Sequence, residues 1–569
     1  MTRPGRGWLL VAALMGVSLV LWWSSVNHAQ AAQTAVSPTI VGRVVDEQGQ
    51  PIANVDVALY GGDDAEPLAE GETQPDGRYA LTLPAPTQDT LHLTIARPHF
   101  QPARIDLTAV QLSDASHGVP VFLPETILTR KITPAFWVAT LIFVLVLVWI
   151  AMGKLHNTLA ALAGASLIFA VSYLGPLAVD ELFIFDFHTA LNYVDWNVIF
   201  LIMGMMIVIA VVERTGIFQW AALMAYRLSG GRIWLLLPIL MLITGVASAF
   251  LDNVTTMLLM TPITVQIALG LGINPLTLLM PEVMASNVVG ISTLIGTPTN
   301  ILIGSYGRIS FTDFLTNLTP GVLLAVVGLI LYSEFTYRHD LRRSGEDGIS
   351  EALLANLAER AHITDPSHLQ KAGIIGAGMI LLFTFGEHIH LLPAVTALMG
   401  ATALLVWIKP DIEEMIEAVD WTTLVFFIAL FICVGAVQEV GLISFIAVGI
   451  GKLVGSNLLL GMLAVTWLSA VLSTIIANIP FTAAMLPVIG FLSGTVPGAE
   501  SKALYYCLSV GSAMGGNGSL IGASANMVTA GISERAGYPI TYVYFLKKGF
   551  PALVITVGLA TVWLLIRFL

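Results

Sequence analysis

The chain has 569 residues, of which 56% are hydrophobic and only 11% are charged, and its mean hydropathy is +0.83. A water-soluble domain carries about twice that charged fraction, so the composition excludes an ordinary soluble protein and indicates a membrane protein. The formal net charge of −12 excludes a nucleic-acid-binding protein, which needs clustered Lys and Arg.

Residues 1–32 have the features of a targeting segment. Arg3 and Arg6 precede an apolar run over 8–23, and Ala29-Gln30-Ala31 has the small-x-small pattern of a cleavage site. We predict a signal peptide or, as the open alternative, an uncleaved N-terminal membrane anchor. Either one would deliver the segment that follows across the membrane.

Residues 33–130 form the segment with the most soluble-looking composition, and they alternate apolar and polar residues in short runs. These runs cover 41–45, 55–60, 78–83 and 91–95. Short alternating runs separated by turn residues predict a small β-sandwich, which we expect on the extracytoplasmic side.

Short motifs in this segment resemble the carboxypeptidase regulatory-like domains. They are Gly42-x-Val44, Gly49-x-Pro51 and Asn54-Val55. The segment shows no nucleophile–base pair and no His/Cys cluster. We therefore expect a stalk or a platform for an extracytoplasmic partner.

From Pro134 onward the chain consists mainly of apolar stretches, and a membrane span needs about 20 such residues. The stretches begin near Ala135, Asn157, Asp195, Leu235, Pro281, Pro320, Ala372, Leu391, Trp421, Leu458, Ala503 and Phe550. We divide this region into a first transporter repeat (131–340), a cytoplasmic linker (341–370) and a second repeat (371–569).

The distribution of basic residues predicts the orientation in a cell (inner) membrane. Thirteen fall on one side: Lys154, Arg214, Arg227, Arg232, Arg338, Arg342, Arg343, Arg360, Lys371, Lys409, Arg535, Lys547 and Lys548. Four fall on the other: Arg308, Lys452, Lys502 and Arg567. The positive-inside rule then places the 338–370 loop in the cytoplasm and the N-terminal domain outside, provided that 235–270 and 458–492 are hairpins that return to their side of entry.

An internal repeat relates the two halves. An offset of 225 maps Val194-Asp195-Trp196 onto Val419-Asp420-Trp421, Gly216 onto Gly441, Asn253 onto Asn478 and Pro262 onto Pro487. An offset of 226 maps Gly290 onto Gly516, Thr293-Leu294-Ile295-Gly296 onto Ser519-Leu520-Ile521-Gly522, and Asn300 onto Asn526. Together with the charge distribution, this predicts an inverted repeat, a common plan of secondary transporters.

Each repeat contains two patches rich in polar and helix-breaking residues. One begins a hairpin tip, at Asp252 and at Ala477, and the other interrupts a long helix, over 296–300 and 522–526. Helix breaks within a membrane occur beside protein or a water-filled cavity, so four related breaks predict a central polar cavity. Helix N-termini there would favour anions, and unwound carbonyls would favour a cation. The open alternative is that Ser, Thr and Gly only allow close helix packing.

We expect these patches to supply the binding site, with the tips at Asn253 and Asn478 approaching each other. The candidate substrate- and ion-binding residues are Asp252, Asn253, Thr255, Thr256, Asn287, Gly296, Thr297, Asn300, Asn478, Thr482, Asn517, Ser519, Gly522, Ser524 and Asn526. The candidates for proton or ion coupling are Asp252 and Glu282, because intramembrane acids are costly and usually functional.

Each of these two acids has an alternative role. Asp252 could cap a helix, and Glu282 could sit at a solvated helix start. Glu213 and Glu439 lie at span ends and are expected at the membrane interface. Glu387-His388-Ile389-His390 has no third ligand nearby, so we predict no metal site.

The tip and break motifs resemble the arsenite permease / D-type Na⁺/H⁺ antiporter family, and within it the pink-eyed-dilution group. They are Leu251-Asp252-Asn253-Val254-Thr255-Thr256, Glu282 with Ser286-Asn287, Gly296-Thr297-Pro298-Thr299-Asn300, and 517–526 in the second half. The resemblance implies membership of the ion transporter superfamily, whose members are typically homodimers that bind substrate and Na⁺ at paired tips. It implies no cofactor other than a coupling ion, Na⁺ or H⁺.

The predicted fold is an all-α polytopic membrane protein with two inverted repeats, each with a re-entrant hairpin and a broken helix, after a small β-sandwich. The predicted function is secondary active transport of an inorganic ion, small anion or neutral acid coupled to H⁺ or Na⁺, with Na⁺/H⁺ antiport or arsenite-type efflux favoured. Asp252 replaces the Ser-Asn-Thr tip of the dicarboxylate carriers and would repel a dianion. A citrate-like permease and an anion channel of the same fold remain alternatives, and no feature indicates an enzyme.

Overall fold

The computed structural model describes residues 39–47, 49–62, 66–82, 91–108, 111, 119–153, 155–230, 232–343, 363–455 and 457–569. The chain divides into two compact units, Met1–Ile132 and Thr133–Leu569. The predicted signal segment 1–32 and most of the predicted linker 341–370 lie outside the described residues.

The first unit is a β-sandwich. Its strands are β1 (Thr39–Asp46), β2 (Asp56–Gly61), β3 (Ala69–Glu72), β4 (Arg78–Thr82), β5 (Leu91–Ala96), β6 (Ala103–Asp106), β7 (Val121–Phe122) and β8 (Thr126–Leu128). In one sheet β1 pairs antiparallel with β4 and parallel with β7 and β8, and the other sheet has the order β3-β2-β5-β6.

Alternation of apolar residues explains this sandwich. In β5, Leu91, Leu93 and Ile95 are buried while the residues between them are partly exposed, and these side chains pack with Val44 and Leu59 in one core. The four predicted runs correspond to β1, β2, β4 and β5, so the β-sandwich prediction is confirmed.

The second unit is helical. Its helices are α1 (Pro134–Met152), α2 (Asn157–Leu174), α3 (Phe187–Asn192), α4 (Trp196–Glu213), α5 (Ile217–Ser229), α6 (Ile233–Phe250), α7 (Asn253–Gly270), α8 (Leu276–Val289), α9 (Pro298–Gly307), α10 (Phe311–Thr336), α11 (Arg338–Arg343), α12 (Pro366–Phe385), α13 (Pro393–Ile408), α14 (Ile412–Glu417), α15 (Trp421–Glu439), α16 (Leu442–Val454), α17 (Leu458–Ile475), α18 (Asn478–Thr495), α19 (Ala503–Gly515), α20 (Ser524–Arg535) and α21 (Tyr542–Phe568). Within the described residues, eleven helices are long and apolar enough to cross a membrane.

The second unit contains the same succession of elements twice. Helices α4–α10 and α15–α21 correspond one to one, and each set has a helical hairpin (α6–α7 and α17–α18) followed by a helix that breaks after a 3₁₀ turn, Gly290–Ser292 or Gly516–Gly518. Gly216 and Gly441 precede α5 and α16 with φ of 77° and 93°. Their match in the repeat thus has a backbone cause, because glycine adopts this left-handed conformation without strain.

Two pairs of equivalent helices run antiparallel. Arg214, at the end of α4, forms an ion pair of 2.6 Å with Glu414 in the segment that leads into α15. At the opposite ends of these helices, the Tyr193 hydroxyl, just before α4, donates to Glu439 at the end of α15. The end of each helix therefore lies beside the start of the other.

Helices α10 and α21 show the same relation. Near the start of α10, the Asn317 carbonyl accepts from Trp563 Nε1 at 2.7 Å, close to the end of α21. At the opposite ends, the Tyr332 hydroxyl donates to the Lys548 carbonyl at 2.7 Å. Inversion of the complete repeats stays a prediction, and these two antiparallel pairs support it.

Candidate functional site

The first hairpin tip is built on Asp252, which is the N-cap of α7. One carboxylate oxygen, Oδ1, accepts hydrogen bonds from the backbone N–H groups of Val254 and Thr255, both at 2.9 Å. The other, Oδ2, accepts from the Thr255 hydroxyl at 2.5 Å. The capping interpretation of Asp252 is thus observed, and a carboxylate at this N-terminus also complements the helix dipole.

The second hairpin tip has the same backbone without an acid. Ala477 occupies the N-cap of α18 and offers no side-chain acceptor. The Asn478 N–H instead donates to the Gly522 carbonyl at 3.2 Å, which joins this tip to the helix break. Thr482 donates to the Asn478 carbonyl at 2.7 Å, so this hydroxyl serves the helix.

The two helix breaks are held by equivalent asparagines. Asn300 Nδ2 donates to the carbonyls of Ile291 and Thr293 at 2.9 and 2.8 Å. Asn526 Nδ2 donates to the carbonyls of Gly516 and Ser519 at 2.8 and 2.9 Å, and Ser519 is the equivalent of Thr293. These two predicted site residues therefore satisfy the freed backbone groups that a broken helix leaves inside a membrane.

Hydroxyl groups and glycines complete each break. Thr293 donates to the Ala249 carbonyl, and its equivalent Ser519 donates to the Thr474 carbonyl at 2.5 Å. A Cβ atom on Gly522 would lie 2.7 Å from the Gly516 carbonyl oxygen, and one on Gly296 would be equally obstructed. Both glycines are thus required by close backbone approach.

Four buried asparagines connect the two halves. Asn253 Nδ2 donates to Asn287 Oδ1 at 2.8 Å. Asn287 Nδ2 in turn donates to the side-chain oxygens of Asn517 and Asn526, at 2.9 and 3.1 Å. This cluster links the first hairpin tip directly to the second helix break.

A cavity of about 690 Å³ lies between the tips. The first half contributes Asp252, Thr255 and Pro298, and the second contributes Ala477, Pro480 and Ser524, among others. Of the fifteen predicted binding residues, only Asp252, Thr255 and Ser524 line it. The other twelve are buried and do not line it: Asn253, Thr256, Asn287, Gly296, Thr297, Asn300, Asn478, Thr482, Asn517, Ser519, Gly522 and Asn526.

Most ionisable groups in the described lining of the cavity are acids. Its described ionisable lining groups are Asp252, Glu213, Asp420 and His156. Sequence reasoning missed Asp420 and His156 as lining residues. Asp420 was available from the Val-Asp-Trp repeat, whereas His156 reaches the cavity from the α1–α2 connection and has no motif.

Glu282 lies deeper in the first half and is completely buried. The alternative of a solvated helix start is wrong, because α8 is buried along nearly its whole length. Thr244 of α6 donates to Glu282 Oε1 at 2.6 Å. Glu439, the last residue of α15, is also buried, at 5% exposure, and its expected position at the membrane interface stays a prediction.

Known proteins resemble both units. Residues 39–118 match the carboxypeptidase regulatory-like domain, and residues 147–511 match the citrate transporter (CitMHS) family. An uncharacterized transporter of Mycobacterium bovis is 36% identical over 437 residues, which are 76% of this chain and 98% of the relative. The human P protein is 32% identical across 79% of this chain and 62% of its own length.

A solved structure, the YdaH transporter of Alcanivorax borkumensis, is 15% identical and covers 75% of this chain and 97% of its own, with a TM-score of 0.48. The family match extends over more than half of the chain and the mycobacterial relative over three quarters of it. The chain therefore belongs to the citrate transporter (CitMHS) family, and it is a multi-pass membrane transporter.

Proposed function

We propose that this transporter exchanges a monovalent cation, Na⁺ or Li⁺, for protons across the membrane. One observation carries the proposal: the Asp252 carboxylate faces a cavity between the two tips whose described ionisable lining is otherwise two more acids and His156. Such a lining attracts a cation and repels an anion.

The electrostatics argue against a polyanion in this cavity. A citrate-like substrate would face Asp252, Glu213 and Asp420 with His156 as the possible positive partner among the described lining residues. Uncompensated like charges in a confined site cost several kcal/mol, of the order found for buried unpaired ions. Although the family is described by citrate transport, the site of this chain favours a cation.

Asp252 gives the exchange a physical basis. A carboxylate near the membrane centre is costly unless a cation or a proton neutralises it. Binding of either would neutralise the tip, so the loaded protein could change conformation while the unloaded anion would resist it.

The cavity mouth is proposed to open to the cytoplasm of a cell with the chain in its inner membrane. The lining includes Gly153, His156 and Ala418, from connections on the side rich in Lys and Arg. A cysteine introduced at His156 should react with an impermeant thiol reagent in inside-out vesicles. Labelling in intact cells instead would reverse the orientation.

Reconstituted vesicles test the exchange. The purified chain in proteoliposomes should take up ²²Na⁺ when an outward-directed proton gradient is imposed, and the internal pH, reported by a pH dye, should rise as protons leave. Asp252→Asn keeps the capping oxygen but removes the charge, so it should fold normally and lose this coupled flux.

Asp195→Asn is the matched control, because Asp195 caps α4 in the same way, at 3.0 Å to the Asn197 N–H. It should transport like wild type. Citrate, arsenite and chloride in the same vesicles complete the test. Na⁺-driven citrate uptake without sodium–proton exchange, or unchanged coupling in Asp252→Asn, would contradict the proposal.

A further inference from the structure

We infer that Glu282 is a second ion-coupling site, a proton-binding carboxyl that is buried apart from the tip cavity and connected to it through hydroxyl groups. The inference deepens the proposed exchange and rests on it for the identity of the coupled ion. Glu282 lies on α8, between the two arms of the first hairpin, α6 and α7.

The carboxyl is incompletely paired. Oε1 accepts from Thr244 on α6 at 2.6 Å, whereas Oε2 has no hydrogen-bond partner among the described residues. The Thr264 hydroxyl on α7 lies beside the same carboxyl without forming a hydrogen bond to it, and it is buried and unpartnered in the described structure. Both arms of the hairpin therefore present a hydroxyl to Glu282.

An ionised carboxylate with a single hydroxyl donor among the described residues is costly at complete burial, because the protein replaces little of its lost solvation. A proton on Oε2 removes the charge and turns that oxygen into a donor, and the Thr264 hydroxyl can accept. The step forms one O–H bond on Oε2 and breaks one O–H bond of a hydronium ion from the aqueous phase, which becomes water. No electron transfer is involved.

A ladder of polar pairs leads from this carboxyl to the first tip. Thr244 and Ser248 are one helical turn apart on α6, and Glu282 and Ser286 are one turn apart on α8, so they form successive pairs. The first pair is Thr244–Glu282, and in the second Ser286 donates to Ser248 at 2.9 Å.

The ladder ends at the asparagine beside Asp252. Ser248 donates to Asn253 Oδ1 at 3.1 Å, and Asn253 donates to Asn287 at 2.8 Å. A change of protonation at Glu282 therefore acts on the same hairpin that carries Asp252. This places the proton site on the same hairpin as the cation site while keeping it out of the cavity.

The second half shows that the fold does not require this acid. Leu508 stands at the position equivalent to Glu282, and Ile489 at that of Thr264. The next pair is kept, because Ser473 donates to the Ser512 carbonyl at 2.6 Å. Helix packing is thus achieved in the second half with an apolar residue in place of the carboxyl.

Charged residues on the surrounding helices do not account for the burial of the Glu282 carboxyl. Helices α6 and α7 carry no charged residue, and α8 carries only Glu282. The titratable groups on the other elements packed against α8 or bonded to it are Asp313, Tyr332, Glu334, Asp340, Tyr505, Tyr506, Cys507, Glu534, Arg535, Tyr542, Tyr544, Lys547, Lys548 and Arg567. The side chains beside the Glu282 carboxyl are instead the Thr244 hydroxyl, which donates to it, and the Thr264 hydroxyl.

Infrared difference spectroscopy and vesicle flux test the inference together. Purified wild-type protein should show the carbonyl stretching band of a buried protonated acid, and Glu282→Gln and Glu282→Leu should lose it. Glu387→Gln, a change at an exposed acid in an outer turn, should keep the band and the flux. In vesicles, both Glu282 variants should retain exchange of ²²Na⁺ for unlabelled Na⁺ and lose Na⁺-driven proton movement.

Persistence of the band in both variants, or wild-type proton movement in either, would overturn the inference. So would failure of both variants to fold, because Leu is the residue that the second half tolerates at this position. If wild-type vesicles move no Na⁺ or Li⁺ but the band disappears in the variants, the proposed exchange fails and the proton site stands.

Discussion

The two halves of the membrane unit share their bracing residues and differ in their acids. In both, an asparagine at the helix break, Asn300 or Asn526, donates to two backbone carbonyls. Only the first half has Asp252 and Glu282, where the second has Ala477 and Leu508. Residues that both halves need maintain the fold, and residues that only one half carries are available for chemistry.

The contact between the halves also depends on a residue that only one half carries. Asn287 belongs to the first half only, since Ala513 takes its place in the second. It nevertheless reaches across to Asn517 and Asn526. This unshared residue thus lies where the two halves meet, which is where a transporter with alternating gates needs its central site.

The largest expected effect comes from the shared glycines of the helix breaks. In Gly522→Ala, the new Cβ would lie 2.7 Å from the Gly516 carbonyl oxygen and 3.0 Å from that of Ser473. Because these contacts are with backbone atoms, the break must move, and we expect a loss of about 3 kcal/mol or more in stability. Gly296→Ala should behave alike in thermal unfolding in detergent.

Gly531→Ala is the control for this prediction. Gly531 lies in α20, a few residues after the second break, and a Cβ there meets nothing within 4 Å. It should be neutral or stabilise the protein by up to about 1 kcal/mol, because Ala is the better helix former. A tolerated Gly522→Ala would mean that the two breaks are not held by the same backbone contact.

The shared asparagines give the next largest effect. Asn300→Ala and Asn526→Ala each leave two buried carbonyls without donors, at about 1–3 kcal/mol per unpaired group. We expect similar losses of thermal stability in the two variants. Only Asn526→Ala should also weaken cation affinity, measured as the KM of ²²Na⁺ uptake, because Asn526 accepts from Asn287 and Asn287 leads to the first tip.

Equal losses of stability with a higher KM in Asn526→Ala alone would show that only the second break is coupled to the binding site. Equal effects on KM in both variants would instead show that bracing of either break controls the site. Since Asn300 accepts from Ser509 at 2.6 Å, each variant loses one further hydrogen bond, so the two changes are matched in number.

Much of this architecture is predictable from the sequence, since Gly and Asn recur at fixed offsets wherever the backbone is broken. Gly216 and Gly441 matched because both need a left-handed backbone. The roles of the side chains were harder to predict from the sequence. Asn300 and Asn526 were predicted to bind substrate, but a sequence does not reveal that their amides are already occupied by carbonyls.

Burial and the geometry of the connections account for the other features that the sequence did not predict. The position of Glu282 four residues before Ser286 predicted a shared helix face, but whether that face meets water depends on the packing of α6 and α7. His156 lies in a connection without periodicity, so nothing in its surroundings indicates the cavity. The short strands β7 and β8 likewise depend on pairing with β1, which is distant in the chain.

The smallest effect concerns a helix cap that only one half possesses. Thr297 is the N-cap of α9, with φ −142° and ψ 142°, and its hydroxyl accepts from the Asn300 N–H at 3.2 Å. Ala523 is the N-cap of α20 with φ −141° and ψ 142°, and it has no such oxygen. The backbone is therefore ready for a cap in both halves.

Removing the cap from the first half and adding one to the second tests whether the two breaks have equivalent energies as well as equivalent shapes. Thr297→Ala should lower the free energy of unfolding by about 0.5–2 kcal/mol, and Ala523→Ser should raise it by a similar amount. The double variant moves the cap from one half to the other. Its stability should return close to wild type if the two effects add, and thermal unfolding of all three variants measures this. A cost in the first half without a gain in the second would show that the α20 N-terminus already has its N–H groups satisfied, and the two breaks would then differ in energy despite their common backbone.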